Sequence, residues 1–215
     1  SADELEDRIP PEHKQYVLNL LARHGSDTKG LYRDPPRTGV GDNYREKGAS
    51  GVIDAAFEHP NVKLIVNALG PPPAFMMEKA RANGVRVGAL AGAREHAIKH
   101  AEMGIDMIIV SGTEAGGHCG EVSTMVLVPE VIQEMDKYPD VVVVAAGGIV
   151  TGRQMAAAMA MGAEGVWTGS VWLTTAEAET APAVKEKFLN ASSRQTVRSR
   201  SRTGKYTRQL RSTWT

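Results

Sequence analysis

Ser111 to Gly120, S-G-T-E-A-G-G-H-C-G, gathers the side chains best suited to chemistry in this 215-residue chain. Its centre is His118. An imidazole gives or takes a proton near neutral pH, which suits it to general acid–base work. Gly116 and Gly117 stand directly before it, and glycine lets a backbone approach a ligand closely or turn with positive φ. Taken alone, the segment reads equally well as a tight turn carrying a surface histidine. Its place after the apolar run Ile105 to Val110 favours chemistry, because α/β folds put their active sites where strands end in loops.

Other groups are weaker candidates. Cys119 beside His118 suggests a Cys–His nucleophile, but neighbours on an extended loop point apart and no acid has a fixed place to orient the imidazole. Glu95, His96 and His100 put two imidazoles one helical turn apart. With no H-E-x-x-H order and no third ligand they read as a solvated helix face, and no metal is expected. Arg194, Arg198, Arg200, Arg202, Lys205, Arg208 and Arg211 form a basic tail with no acid among them. No aromatic platform accompanies it, so a phosphate-bearing cofactor, CoA or plain solubility suits it better than nucleic acid. Met103, Met107, Met125, Met155, Met159 and Met161 read as core filling.

The composition narrows the classes. Lys plus Arg and Asp plus Glu both number 25, so no net charge points to nucleic acid or a membrane surface. The single cysteine, Cys119, precludes an internal disulfide framework and fits a reducing, cytoplasmic setting. The acidic, polar N-terminus is not that of a signal peptide. The longest apolar run, around Val141 to Val150, is too short to span a bilayer. A content of 42% hydrophobic residues with 22 glycines suits a compact α/β domain with many tight loops.

The elements that position the loop follow a rhythm. Residues 1–24 read as a polar helix that Pro10 and Pro11 could open, with a narrow apolar stripe of Tyr16, Val17, Leu20 and Leu21. Residues 25–50 read as an irregular connection. From residue 51 helices alternate with strands. Helices are predicted over 52–57, 74–83, 93–103, 128–137 and 152–161. Strands are predicted over 62–68, 85–90, 105–110, 141–146 and 165–168. Gly84, Gly104 and Gly162 each close a helix and lead into a strand. Apolar strands alternating with helices predict a parallel sheet covered by helices. Three segments result: 1–50 as helix plus connection, 51–190 as the barrel portion, and 191–215 as a basic C-terminal segment.

All five strands end in loops of glycine and small polar residues, the form of a ligand-binding rim. The last two loops are Ala145-Ala146-Gly147-Gly148-Ile149 and Trp167-Thr168-Gly169-Ser170. Glycine-rich loops and helix N-termini offer N–H groups to phosphate, and the last two loops are the usual phosphate site of α/β barrels. The alternative is that these glycines only permit tight packing.

The motifs T-E-A-G-G-H, then P-E-V, then A-A-G-G-I-x-x-G-R-x-x-A-A-A-x-x-x-G-A-x-G-V-x-x-G-S, together resemble the nitronate monooxygenase (2-nitropropane dioxygenase) family. T-G-K-Y-T-R-Q-L-R, Thr203 to Arg211, resembles that family's C-terminal motif, and the resemblance runs from about residue 60 to the end. It implies an FMN-dependent oxidoreductase on a TIM-type (β/α)8 barrel. His118 would be catalytic. Ser111, Gly116 and Gly117 would lie near the flavin, and Gly147, Gly148, Trp167, Thr168, Gly169 and Ser170 near its phosphate. The five readable strands would correspond to the last five of eight, as in a fragment of a longer chain. Residues 1–50 and the phrases L-G-P-P-P, G-E-V-S-T-M-V-L-V-P-E-V and T-V-R-S-R-S look closer to an actinobacterial-type branch, some members of which are thought to reduce CoA thioesters in steroid-ring breakdown.

Two reactions follow from the resemblance. In the first, His118 removes the α-proton of a nitroalkane or orients its nitronate, and O2 carries the oxidation to a carbonyl compound and nitrite. In the second, NAD(P)H drives reduction of an unsaturated CoA thioester, with His118 binding or protonating the enolate side. A third reading is an inactive phosphate-binding barrel fragment. The expected partners are a small-molecule substrate, nitronate or CoA thioester, with O2 or NAD(P)H. A homodimer is open to it, and no nucleic acid or membrane is expected.

Overall fold

The computed structural model describes residues 8–29, 46–200 and 204–212. Most of the predicted 25–50 connection lies outside them. The chain divides into two compact units, residues 1–59 and 60–215.

In the first unit, helix α1 (Pro11–Arg23) opens with proline in its first turn, where the missing N–H costs nothing. None of its residues is buried, the predicted stripe included. Helix α2 spans Glu46–Phe57.

The second unit alternates strands with helices. In order they are β1 (Leu64–Asn67), α3 (Ala74–Ala82), β2 (Arg86–Ala91), α4 (Arg94–Glu102), β3 (Met107–Ser111), β4 (Gly117–His118), α5 (Thr124–Met135), β5 (Val142–Ala146), α6 (Gly152–Ala160), β6 (Gly165–Trp167), α7 (Pro182–Asn190), β7 (Thr196–Ser199) and β8 (Thr207–Leu210). Short 3-10 turns cover Ser170–Thr174 and Ser193–Gln195.

Strands β1, β2, β3, β5 and β6 form one parallel sheet in chain order. The order never reverses. Right-handed crossovers that all step one way put every helix on the same face, which is the winding of a barrel wall; a doubly wound sheet reverses. The packing follows the strand period. Ile108, Val110, Val143 and Ala145 bury against α4, α5 and α6, on Ala97, Ala101, Leu127, Val128, Val131 and Ala158. Ile109, Val144 and Ala146 form a second cluster with Val66, Leu90 and Met107. Burial on both faces explains why these strands read as unbroken apolar runs.

Gly84, Gly104 and Gly162 follow their helices with φ of 64°, 75° and 103°, as predicted for C-terminal caps. Two of the turns carry an acid that braces the next strand pair. Asp106 Oδ2 accepts from the Val87 N–H at 2.7 Å, and Glu164 Oε1 accepts from the Val143 N–H at 3.4 Å.

Four expectations change. Helix α2 starts at Glu46, six residues before the predicted 52, so residues 46–50 of the predicted connection are helical. Helix α5 starts at Thr124, four residues before the predicted 128, and carries Pro129 inside it. The early start is supported by Glu114, whose carboxylate accepts from the Thr124 N–H at 2.9 Å, and an anion at a helix N-terminus is favourable. Met103, Met125, Met155 and Met159 are exposed; Met107 and Met161 pack, partly buried, against the core clusters as expected, and Met76, Met77 and Met135 are buried. The predicted solvated face of α4 is split. His96 is exposed, whereas His100 is buried at 2% exposure, its Nε2 at 3.1 Å from the Leu90 carbonyl.

Candidate active site

A cavity of about 570 Å³ opens where β2 and β3 end, lined in part by Leu90, Gly92, His96, Ser111, His118, Arg200, Lys205 and Tyr206. Two of the predicted site residues meet in it. Ser111 closes β3 and is buried; His118 is exposed on β4.

The loop between them is built from the backbone outward. The Thr113 N–H donates to the Val122 carbonyl at 2.9 Å and the Gly112 N–H to the Ala146 carbonyl at 3.2 Å. Thr124, buried at the start of α5, is the fixed point: its hydroxyl donates to Glu114 Oε2 at 2.8 Å. A side chain at Gly112 would overlap Thr124, and one at Gly147 would come within 2.7 Å of the Thr124 hydroxyl. Gly147 also holds φ of 110°, which L side chains rarely adopt.

These contacts join three of the predicted loops into one rim. Gly147 and Gly148 press on residues 112–115, and a Cβ at Gly148 would meet Glu114 at 3.0 Å. Gly116 sits against the Ser170 hydroxyl, so the loop after β6 touches the loop after β3. Gly117 has φ of 75°, which turns the chain into β4. Gly147, Gly148 and the Trp167–Ser170 loop lie beside the His118 cavity and do not line it. Tight packing therefore accounts for much of the Gly147–Gly148 pair, while Gly169 faces open space. The Thr168 hydroxyl accepts from the Trp172 indole at 2.8 Å. Gln154 donates to the Gly148 carbonyl at 2.8 Å and forms a capping box with Thr151 at the start of α6.

The basic tail has a structural task that sequence reasoning missed. It folds as the antiparallel pair β7–β8, and β8 pairs with β4 so that His118 lies opposite Thr207 and Gly117 opposite Arg208. Arg208 Nε and Nη2 donate to the Thr113 carbonyl at 3.0 and 2.9 Å. Arg198 Nη2 donates to the Gly120 carbonyl at 2.9 Å. The guanidiniums of Arg198 and Arg200 lie 3.5 and 4.2 Å from the centre of the Tyr206 ring. An aromatic platform exists after all, and this chain's own arginines occupy it. Arg202 lies outside the described residues. The alternation of Arg198 and Arg200 opposite Tyr206 and Arg208 was the available signal, since period-two spacing is that of a strand.

The nitronate monooxygenase family pattern matches residues 38–215. The chain belongs to that family. It is 52% identical over 214 residues to a Mycobacterium tuberculosis protein named as a monooxygenase, covering 100% of this chain and 56% of the relative. A Rhodococcus jostii relative named as an octahydro-indene-carboxyl-CoA dehydrogenase is 43% identical over 118 residues, covering 55% of this chain and 32% of the relative. Among solved structures, the nitroalkane oxidase of Streptomyces ansochromogenes superposes with a TM-score of 0.67 at 27% identity, covering 77% of this chain and 50% of that one. The five strand–helix units are thus part of a TIM-type barrel, and the chain matches 56% and 32% of the length of these two curated relatives.

Proposed function

We propose that this chain carries the acid–base and cofactor-binding half of an FMN-dependent nitronate monooxygenase. The observation that carries this reading is His118 held at the mouth of a cavity that Arg200 and Lys205 also line, in a chain matching the family over residues 38–215. A nitronate is an anion and nearby cations favour it; Glu121 also lines the cavity and pairs with Arg200 at 3.4 Å, which offsets part of that charge.

The residues present suit FMN. The cavity is of a size that takes a cofactor, Gly92 and Gly120 lie at its wall without side chains, and Gly169 leaves open space next to Ser170, an exposed residue. Ser111 and Gly116 would border the ring system, and Gly148, Gly169 and Ser170 the phosphate. When bound, FMN supplies the redox chemistry. The chain's own share is to admit the nitroalkane, to take its α-proton on the His118 imidazole or to orient the nitronate already formed, and to hold the negative charge near Arg200 and Lys205.

The test is oxygen uptake with propionate 3-nitronate and with a neutral nitroalkane. His118→Ala is expected to lower turnover of the neutral nitroalkane by about 100-fold or more, the usual weight of a general base, while leaving flavin content unchanged. Full turnover by that variant would remove His118 from the chemistry.

A second reading is supported by the Rhodococcus relative, whose name specifies a carboxyl-CoA substrate. In it, NAD(P)H drives reduction of an unsaturated CoA thioester and Lys205 and Arg200 meet the phosphates of CoA. Thioester-dependent NAD(P)H oxidation without nitrite release would select it. Among the described residues no helix is long and apolar enough to cross a membrane.

A further inference from the structure

We propose that Arg208 and Arg198 are positioning residues for His118, holding the two ends of its loop against the β7–β8 hairpin. The importance of that position rests on the reading of His118 as the reactive imidazole; the positioning itself can be tested without it.

The geometry is specific. The loop leaves β3 at Ser111 and returns to α5 at Thr124. Within it, β4 is only two residues long, Gly117 and His118, and so short a strand has little independent stability. It is held from outside. Before β4, Arg208 clasps the Thr113 carbonyl through two N–H donors at 3.0 and 2.9 Å, a forked contact that fixes direction as well as distance. A third donor, Nη1, ties the same guanidinium to the Thr196 hydroxyl on β7 at 2.9 Å. After β4, Arg198 takes the Gly120 carbonyl at 2.9 Å, and the Cys119 N–H donates to the Tyr206 carbonyl at 3.1 Å. Both arginines are only half-exposed, so these contacts are partly shielded from water.

Two features show that the guanidiniums serve the loop more than the surface. Arg198 keeps a buried Nε without a partner, a cost that a solvent-facing arginine avoids. No carboxylate pairs with Arg208 among its described contacts; of its three side-chain hydrogen bonds and two strand pairings, three reach the His118 loop and two reach β7. A lysine in its place would supply a point charge with no fork.

The experiment is heteronuclear NMR on the whole chain, comparing wild type with Arg208→Met, Arg208→Lys and Arg198→Met, and with Arg194→Met as a surface control. Two signals are read: the His118 ring cross-peak, and hydrogen exchange of the Cys119 amide. In Arg208→Met the Cys119 amide is expected to exchange about 10-fold faster or more, and the His118 ring peak to move or broaden, while amides of β2 and β5 stay protected. Arg208→Lys should recover part of the effect, Arg198→Met should reproduce it, and Arg194→Met should do nothing. If Arg208→Met and Arg198→Met both leave the His118 and Cys119 signals unchanged, the proposal is wrong. Should Arg208→Met unfold, Arg208→Lys and Arg198→Met decide alone. Loss of turnover plays no part in this readout, so a His118→Ala variant that still turns over would overturn the catalytic reading and leave the positioning result standing.

Discussion

Thr124 is the residue on which most of the rim depends. Its N–H and hydroxyl both reach Glu114 Oε2, at 2.9 and 2.8 Å, and the space for its side chain exists because positions 112 and 147 are glycine. Thr124→Val keeps the shape and deletes one hydrogen bond to a carboxylate. The chain should lose about 1.5–3 kcal/mol of stability, read from urea unfolding. A loss below about 0.5 kcal/mol, the range of ordinary surface substitutions, would mean that the hydroxyl contributes nothing to holding the loop. Sequence reading found the glycines and the histidine here, because both have distinctive chemistry at short spacing. It did not find Thr124 or Glu114, whose pairing crosses ten positions and has no local pattern.

Among the elements, α4 holds a titratable group that packing has made costly to charge. His100 sits between the helix and β2, its Nε2 facing the Leu90 carbonyl. A carbonyl only accepts, so Nε2 carries the proton and Nδ1, buried without a partner, is bare. Burial lowers its pKa below the ordinary 6.5; the Leu90 hydrogen bond opposes this, and His96 and Lys99 add to the lowering. Between the lowered folded value and 6.5 the unfolded chain binds the proton and the folded chain does not. Stability from this site is therefore full above 6.5 and is lost as pH falls through that window. His100→Leu should flatten the pH dependence of the unfolding free energy below 6.5 relative to wild type. An unchanged slope would show that His100 accommodates the proton in the fold.

The five parallel strands were legible because each is apolar on both faces, and their capping glycines mark where each helix ends. Helix α5 was placed late because its start is fixed by a distant carboxylate and Pro129 suggested a boundary. The basic tail was read by charge, yet its fold is decided by the backbone pairing of β8 with β4, which no charge pattern announces. The α4 histidines were read as one face, although His100 turns inward and His96 lines the cavity.

At the scale of the molecule, a barrel wall carries a rim of joined loops. The chain has no net charge, yet Arg200, Lys205 and Glu121 meet at one cavity with His118, so its electrostatics are local. The family match and the winding of the sheet agree on the barrel. The central claim is that this rim binds flavin and presents a nitronate to it. The most direct measurement is the visible spectrum of the purified chain with added FMN, taken anaerobically before and after propionate 3-nitronate. Flavin bands that stay with the protein on gel filtration and bleach on adding the nitronate are the expected result. Flavin that separates from the protein, or that remains oxidised with nitronate and bleaches only with NAD(P)H, would contradict it.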